Sequence, residues 1–192
     1  MTRRDVSSLQ TTSLKEPIMS TLTETAAVFT PRILPAAEAE AWAVSARQVI
    51  ALPLTDAGVQ DVIRLALGEF APLTGFPSQA DYLSVLLDGK LRDGTPLHAP
   101  VTLAITQEQR RDITRGQLVA LTDLAGRLIG RLEVQAVYPR REHAERLARG
   151  GKVEPLGARR QWLLGGPVDV VPQALKGAQR AAAEELFPWG LS

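Results

Sequence analysis

The sequence predicts an α+β fold, a small mixed or antiparallel barrel with flanking helices. Three observations carry this expectation. The first half of the ordered region shows helical periodicity broken at Gly68 and at Asp88–Gly89. From residue 94 onward the texture changes to short apolar runs of strand length, such as Val101–Ile105 and Gly116–Thr122. Glycine-containing turns such as Asp123–Gly126 join those runs into hairpins. With 192 residues, 45% of them hydrophobic, the chain can bury a proper core in one domain without staples.

The elements follow in order. Residues 1–30 are polar, without a sustained period, and read as a disordered tail. Their Arg, Ser and Thr content also admits a transit-like presequence, or a start at Met19. Residues 31–171 are expected to form the domain and residues 172–192 a carboxy-terminal helix. Within the domain, Pro35–Ala46 reads as a short helix with Trp42 turned inward, and Arg47–Pro53 as a short strand ended by proline. Thr55 or Asp56 caps the next helix, in which Val59, Val62, Ile63, Ala66 and Leu67 recur at helical spacing. Gly68 closes it in a left-handed turn. Ser78 and Asp81 form a capping arrangement before Tyr82, Val85 and Leu86. Thr106 caps one or two turns reaching Ile113. Arg127–Val137 is expected to be one strand, Arg140–Gly150 a charged helix, and Trp162–Val171 the last strand.

Composition excludes several functions. The chain has no cysteine, so disulfides, thiolate metal sites and a cysteine nucleophile are absent, which suits a reducing cytoplasm. The 22 basic and 21 acidic residues leave a formal charge of +1, so only a local patch could attract a polyanion. No run approaches the roughly 18–20 apolar residues of a membrane span. Two histidines, at 98 and 143, do not make a metal site with any repeated carboxylate spacing. No metal and no cofactor is therefore expected. His98 reads as a half-exposed strand or turn residue, and Asp93–Gly94 and Asp123 as turn formers.

The run Gly68–Glu69–Phe70–Ala71–Pro72–Leu73–Thr74–Gly75–Phe76, then Asp81–Tyr82 and Leu91–Arg92–Asp93–Gly94, resembles the amino-terminal domain of ATP sulfurylases (sulfate adenylyltransferases). That family's segment reads G-x-F-x-P-L-x-G-F, D-Y and R-L-x-D-G. Gly116–Asp123 is similar to its G-x-x-V-A-L-x-D, and Leu164–Gly165–Gly166–Pro167–Val168 to its closing L-G-G-P-V. The resemblance covers roughly Arg47–Val171. It implies the family's PUA-like pseudo-barrel. The family's F-G-T and H-P-x-V pieces are missing between Tyr138 and Trp162, where Arg140–Arg160 stands instead. The catalytic-half element Q-x-R-N-P-x-H-x-x-H is not found in the chain, and the resemblance places that half beyond Ser192.

No residue reads as catalytic. Adenylyl transfer to sulfate needs several donors and cations aimed at phosphate oxygens. The chain has no G-x-x-x-x-G-K-[ST] cradle. Gly165–Gly166 lies in a strand and reads as a bulge or close backbone approach. In the Pro72–Phe76 loop, Thr74 and backbone amides could hold an anion. The competing reading, a turn plugged by Phe70, Leu73 and Phe76, is the favoured one. The remaining constellation is basic. Arg140, Arg141, Arg146, Arg149, Lys152, Arg159 and Arg160 face Glu142, Glu145 and Glu154, an excess of four positive charges (seven less three) flanked by Tyr138 and Trp162. Such a patch could meet RNA phosphates with a stacking platform nearby. The helix-spaced pairs Arg141–Glu145 and Glu142–Arg146 favour a plain solvated face.

The expected function is a non-catalytic accessory or interaction module in sulfur metabolism. Its partner would be a sulfurylase catalytic subunit, or a second copy met through the helix from Gln173 to Phe187. The alternatives are one part of a split sulfate adenylyltransferase and an RNA-binding PUA-like module.

Overall fold

A computed structural model describes residues 29–148 and 160–177. The expected tail (1–28), Arg149, Lys152 and Arg159 of the basic stretch, and the carboxy-terminal helix past residue 177 lie outside the described residues.

The helices start and stop where local chemistry dictates. Helix α1 (Ala36–Ser45) buries Ala39 and Trp42, and the indole Nε1–H donates to the Gly130 carbonyl at 3.2 Å. Helix α2 (Asp56–Leu67) is capped by Thr55, whose hydroxyl accepts from the Gly58 N–H, and ends at Gly68 with φ 88°. It buries Val62, Ile63, Leu65 and Ala66 on one face. Burial of this kind contributes about 1.5–3 kcal/mol for each large aliphatic side chain. Helix α3 (Gln79–Asp88) is capped by Ser78, which accepts from the Asp81 N–H. The short helix α4 (Gln107–Asp112) has a full capping box between Thr106 and Gln109. Helix α5 spans Glu142–Ala148, and residues 172–177 are helical.

The strands are β1 (Ala51–Leu54), β2 (Gly75–Phe76), β3 (Leu103–Ile105), β4 (Leu118–Asp123), β5 (Leu128–Glu133), β6 (Ala136–Pro139) and β7 (Trp162–Val170). Strand β7 is the hub. Its first half pairs antiparallel with β3 on one edge and β6 on the other; its second half pairs with β2 and β5. The path β1-β4-β5-β7-β2 completes the sheet, with β1 parallel to β4. The changeover falls on Gly165–Gly166, where β7 exchanges β6 for β5 and β3 for β2. Gly166 has φ 150°, and a Cβ there would collide with the Glu133 carbonyl. Strand corners that turn a sheet into a barrel require such a residue. The sheet therefore curls around a main core built from Leu52, Leu54, Val62, Leu65, Val119, Leu121, Leu132, Val134, Leu164 and Val168, with a smaller cluster of Tyr82, Ala104, Tyr138 and Leu163 beside it.

Three local expectations are corrected. Residues 46–48 form a 3₁₀ turn, and the first strand begins only at Ala51 and carries Pro53 inside it. Proline is tolerated because β1 ends the sheet path and has β4 as its one neighbour. The single strand expected over 127–137 breaks at Val134–Gln135, because β5 and β6 dock on opposite sides of the β7 corner. The apolar run expected as a strand over Val101–Ile105 forms one only over Leu103–Ile105, and all three of those residues are buried.

Candidate functional site

Strand pairing brings two distant motif blocks together. Gly75 lies opposite Pro167 and Phe76 opposite Gly166, and the Val168 N–H donates to the Thr74 carbonyl at 3.1 Å. Gly75 is required here, since a Cβ would meet the Gly166 carbonyl and the Pro167 Cα. Phe76 is buried, and Phe70 and Leu73 pack against the core, so the aromatic side chains plug the helix-to-barrel junction. The outer side of this junction is a concavity of about 410 Å³. Its walls are Pro72–Ser78, Asp81, Arg115, Gln135, Ala136 and Gly165–Pro167.

The polar groups of this concavity come from three segments. Thr74 is exposed on the loop. Arg115 sits in the turn between α4 and β4. There the Thr114 N–H donates to the Gln117 side-chain oxygen at 3.1 Å, and Gly116 (φ 82°) donates to the Val134 carbonyl at 2.7 Å. Gln135 bridges β5 and β6, and its N–H donates to the Gly165 carbonyl at 2.8 Å. Asp81 is committed to its own loop: it accepts from the Ser78 hydroxyl at 2.7 Å and from the Arg92 N–H at 3.4 Å. The Arg92–Gly94 turn is thereby tied to the same rim. Asp93 accepts from the Thr95 N–H at 2.9 Å, which holds its carboxyl below the usual range, and Gly94 has φ 93°.

Two other concavities are less suited to a ligand. One of about 220 Å³ is walled by Val59, Leu128, Ile129 and Ala174. Its Arg127 is paired with Asp123, and Asp56 lies in the first turn of α2, where it complements the helix dipole. For Asp123, burial pushes the carboxyl up, but hydrogen bonds from the Arg127 and Ala125 N–H groups and the Arg127 guanidinium prevail and lower it. This is the turn-forming role read from the sequence. The other, about 560 Å³, contains Trp42 and Arg131, and Arg131 is paired with Asp169 at 2.9 Å.

The four described residues of the basic stretch, Arg140, Arg141, Arg146 and Arg160, differ in their surroundings. The Arg140 side chain is 3% exposed and that of Glu145 1%, and they form an ion pair with Nη2–Oε2 at 2.7 Å. Arg140 is therefore withdrawn from the candidate polyanion patch. The sequence pairing Arg141–Glu145 is replaced by Arg140–Glu145. Arg141 and Arg146 are exposed, and Arg160 is half-buried. The stacking platform is already occupied: the Arg110 guanidinium lies 4.0 Å from the Trp162 ring, a residue the linear stretch does not reveal. His98 lies in an exposed bend. Among the described residues no cluster of His, Asp and Glu is arranged to hold a metal, and no helix is long and apolar enough to cross a membrane.

Around Glu145 the fold builds a closed polar network. The Tyr82 hydroxyl donates to Glu145 Oε1 at 2.8 Å and accepts from the Arg141 N–H at 2.8 Å. The Tyr138 hydroxyl donates to the Pro77 carbonyl at 2.9 Å, beside the concavity, and its ring lies 5.5 Å from that of Tyr82. Burial, first of all, raises both phenols above the ordinary value of 10.0. Unfolded tyrosines ionise near that value while the folded ones stay neutral. The folded state then holds more protons, and its stability falls as pH rises above about 10. These are the chain's two tyrosines. Tyrosinate absorbance is thus expected to show no normally titrating group until the protein unfolds. A full phenol titrating near its ordinary value in the folded state would contradict the network.

The PUA-like domain family model matches residues 23–173. The chain is 36% identical over 107 residues to a sulfate adenylyltransferase of Synechococcus elongatus, an overlap covering 56% of this chain and 27% of that one. It is 37% identical over 94 residues to the sulfate adenylyltransferase of Deinococcus radiodurans, covering 49% and 24%. The chain thus spans about a quarter of the length of these curated relatives. Among solved structures, a hexameric APS kinase from Thiobacillus denitrificans shares the fold. Its TM-score is 0.56 at 24% identity, over 73% of this chain and 25% of that one. With its curled sheet, its flanking helices and a family match over most of its length, the chain belongs to the PUA-like domain family.

Proposed function

We propose that the chain is an accessory or interaction module for sulfate activation, acting as a rigid platform for a sulfurylase-type catalytic domain rather than as a catalyst. The observation that supports this is where the sulfurylase-like blocks go. Gly68, Phe70, Gly75, Phe76, Gly165 and Gly166 build the helix cap and barrel corner. Pro72, Thr74 and Asp93–Gly94 remain exposed on the rim. Adenylyl transfer draws on several cations and donors aimed at phosphate oxygens. Among the described residues, the rim concavity offers one cationic side chain, Arg115. A rim of this kind suits contact with a protein surface, where preformed walls reduce the ordering cost of association.

The test is co-elution and pull-down of the purified chain with a sulfurylase catalytic chain. Association that is lost when Thr74 and Asp93 are replaced is the expected result. A strictly monomeric protein that ignores catalytic chains, in cis or in trans, would count against the reading. The identity with sulfate adenylyltransferases favours a second reading, in which the chain is one part of such an enzyme. Pyrophosphate release from ATP and sulfate would then be absent with the chain alone and appear when the catalytic part is added.

A further inference from the structure

We infer that the concavity between the Pro72–Ser78 loop and the Gly165–Pro167 corner receives an acidic side chain, next to an apolar one, from a partner protein. The inference rests on the interaction-module reading and names where and by what chemistry the partner is held. Arg115, Thr74 and Gln135 reach the concavity from three separate segments. Among the described residues none of these side chains makes a hydrogen bond or ion pair, so each retains its capacity for an incoming group. Several other charged groups lining concavities already have partners within the fold. Arg131 holds Asp169, Arg127 holds Asp123, and Asp81 is bonded by Ser78 and by the Arg92 N–H.

The walls decide the rest of the ligand. Leu73, Ala136 and Pro167 line the same space, which at about 410 Å³ falls within the roughly 300–1,000 Å³ of organic-ligand sites. A bare inorganic anion would leave most of it unfilled, whereas a carboxylate with an apolar neighbour satisfies both halves. Arginine suits the anionic end because its planar fork can grip a carboxylate through two parallel hydrogen bonds. The site is also preorganised. The Thr74 and Gln135 backbones are fixed to β7, and Arg115 is fixed by the Gly116–Val134 hydrogen bond. Binding then has only the three exposed side chains left to order, not the backbone that carries them.

The experiment is a ¹⁵N NMR titration of the full chain with blocked dipeptide probes, acetyl-Leu-Asp-amide and acetyl-Leu-Asn-amide, and with sodium sulfate. The expected result is saturable shifts at Thr74, Arg115 and Gln135 with the Asp probe, about tenfold weaker with the Asn probe or in Arg115→Met, as loss of a charge-assisted hydrogen bond predicts. Arg115 is exposed, so the variant should fold, and an unchanged spectrum elsewhere checks this. Equal affinity for both probes, shifts elsewhere, or sulfate binding as tightly as the Asp probe would overturn the inference. A parallel pull-down with the sulfurylase catalytic chain separates the two levels. Capture unaffected by Arg115→Met refutes this site and leaves the module reading standing. Probe binding at the concavity without capture supports the site and refutes that choice of partner.

Discussion

Replacing Glu145 with alanine is expected to destabilise the protein by about 3–5 kcal/mol, because it strands a buried guanidinium. Arg140 is nearly enclosed, and Glu145 supplies both carboxylate oxygens to it, with Nε at 3.0–3.1 Å and Nη2 at 2.7 Å. The same carboxylate accepts the Tyr82 hydroxyl, which ties α5 to α3. For a chain of this size the loss corresponds to a fall in Tm on the order of 10 °C. Burial pushes the Arg140 guanidinium down, but the Glu145 hydrogen bonds and charge outweigh it and raise it. In the variant that support is gone, and arginine's intrinsic basicity keeps the buried guanidinium charged. Arg140→Met combined with Glu145→Ala should cost clearly less than the sum of the two single changes, since the desolvated charge leaves with its partner. Thermal melts of the four proteins check this. Additive effects, or a Tm change under about 2 °C for Glu145→Ala, would show that the pair is not a buried unit.

Gly166→Ala is expected to be at least as damaging. The backbone there has φ 150°, a region that disfavours any side chain, and the added methyl would enter the Glu133 carbonyl. Strain of about 1–3 kcal/mol and the backbone displacement together should exceed about 4 kcal/mol, a large part of an ordinary domain's stability. Gly126→Ala is the control. That residue also has positive φ (80°) but nothing near its Cβ position, so the cost should stay near 1 kcal/mol. Urea midpoints that rank the two variants equally would contradict the role given to the β7 corner.

What the sequence disclosed follows the range of the interactions. Thr55, Ser78 and Thr106 were legible as caps and Gly68 as a left-handed stop, because each is decided within four residues. The barrel corner at Gly165–Gly166 was legible as a close approach, although not what approaches it. The Arg140–Glu145–Tyr82 network was hidden. Its local signature looks like solvated helix pairs, and its third member lies 63 residues from Glu145 along the chain. Arg110 over Trp162 and the place of Arg115 in the rim were missed for the same reason: α4 and the β4 turn reach them only after the sheet has closed. Pro53 misled because proline normally ends a strand, whereas an open sheet edge tolerates it.

Under the proposed function, the barrel would offer a partner its rim and grip no nucleotide by itself. Calorimetric titration of ATP and of adenosine phosphosulfate into the purified chain tests this directly. No saturable heat is predicted for either. A saturable site for either nucleotide on the chain alone, abolished by Arg115→Met or not, would contradict it.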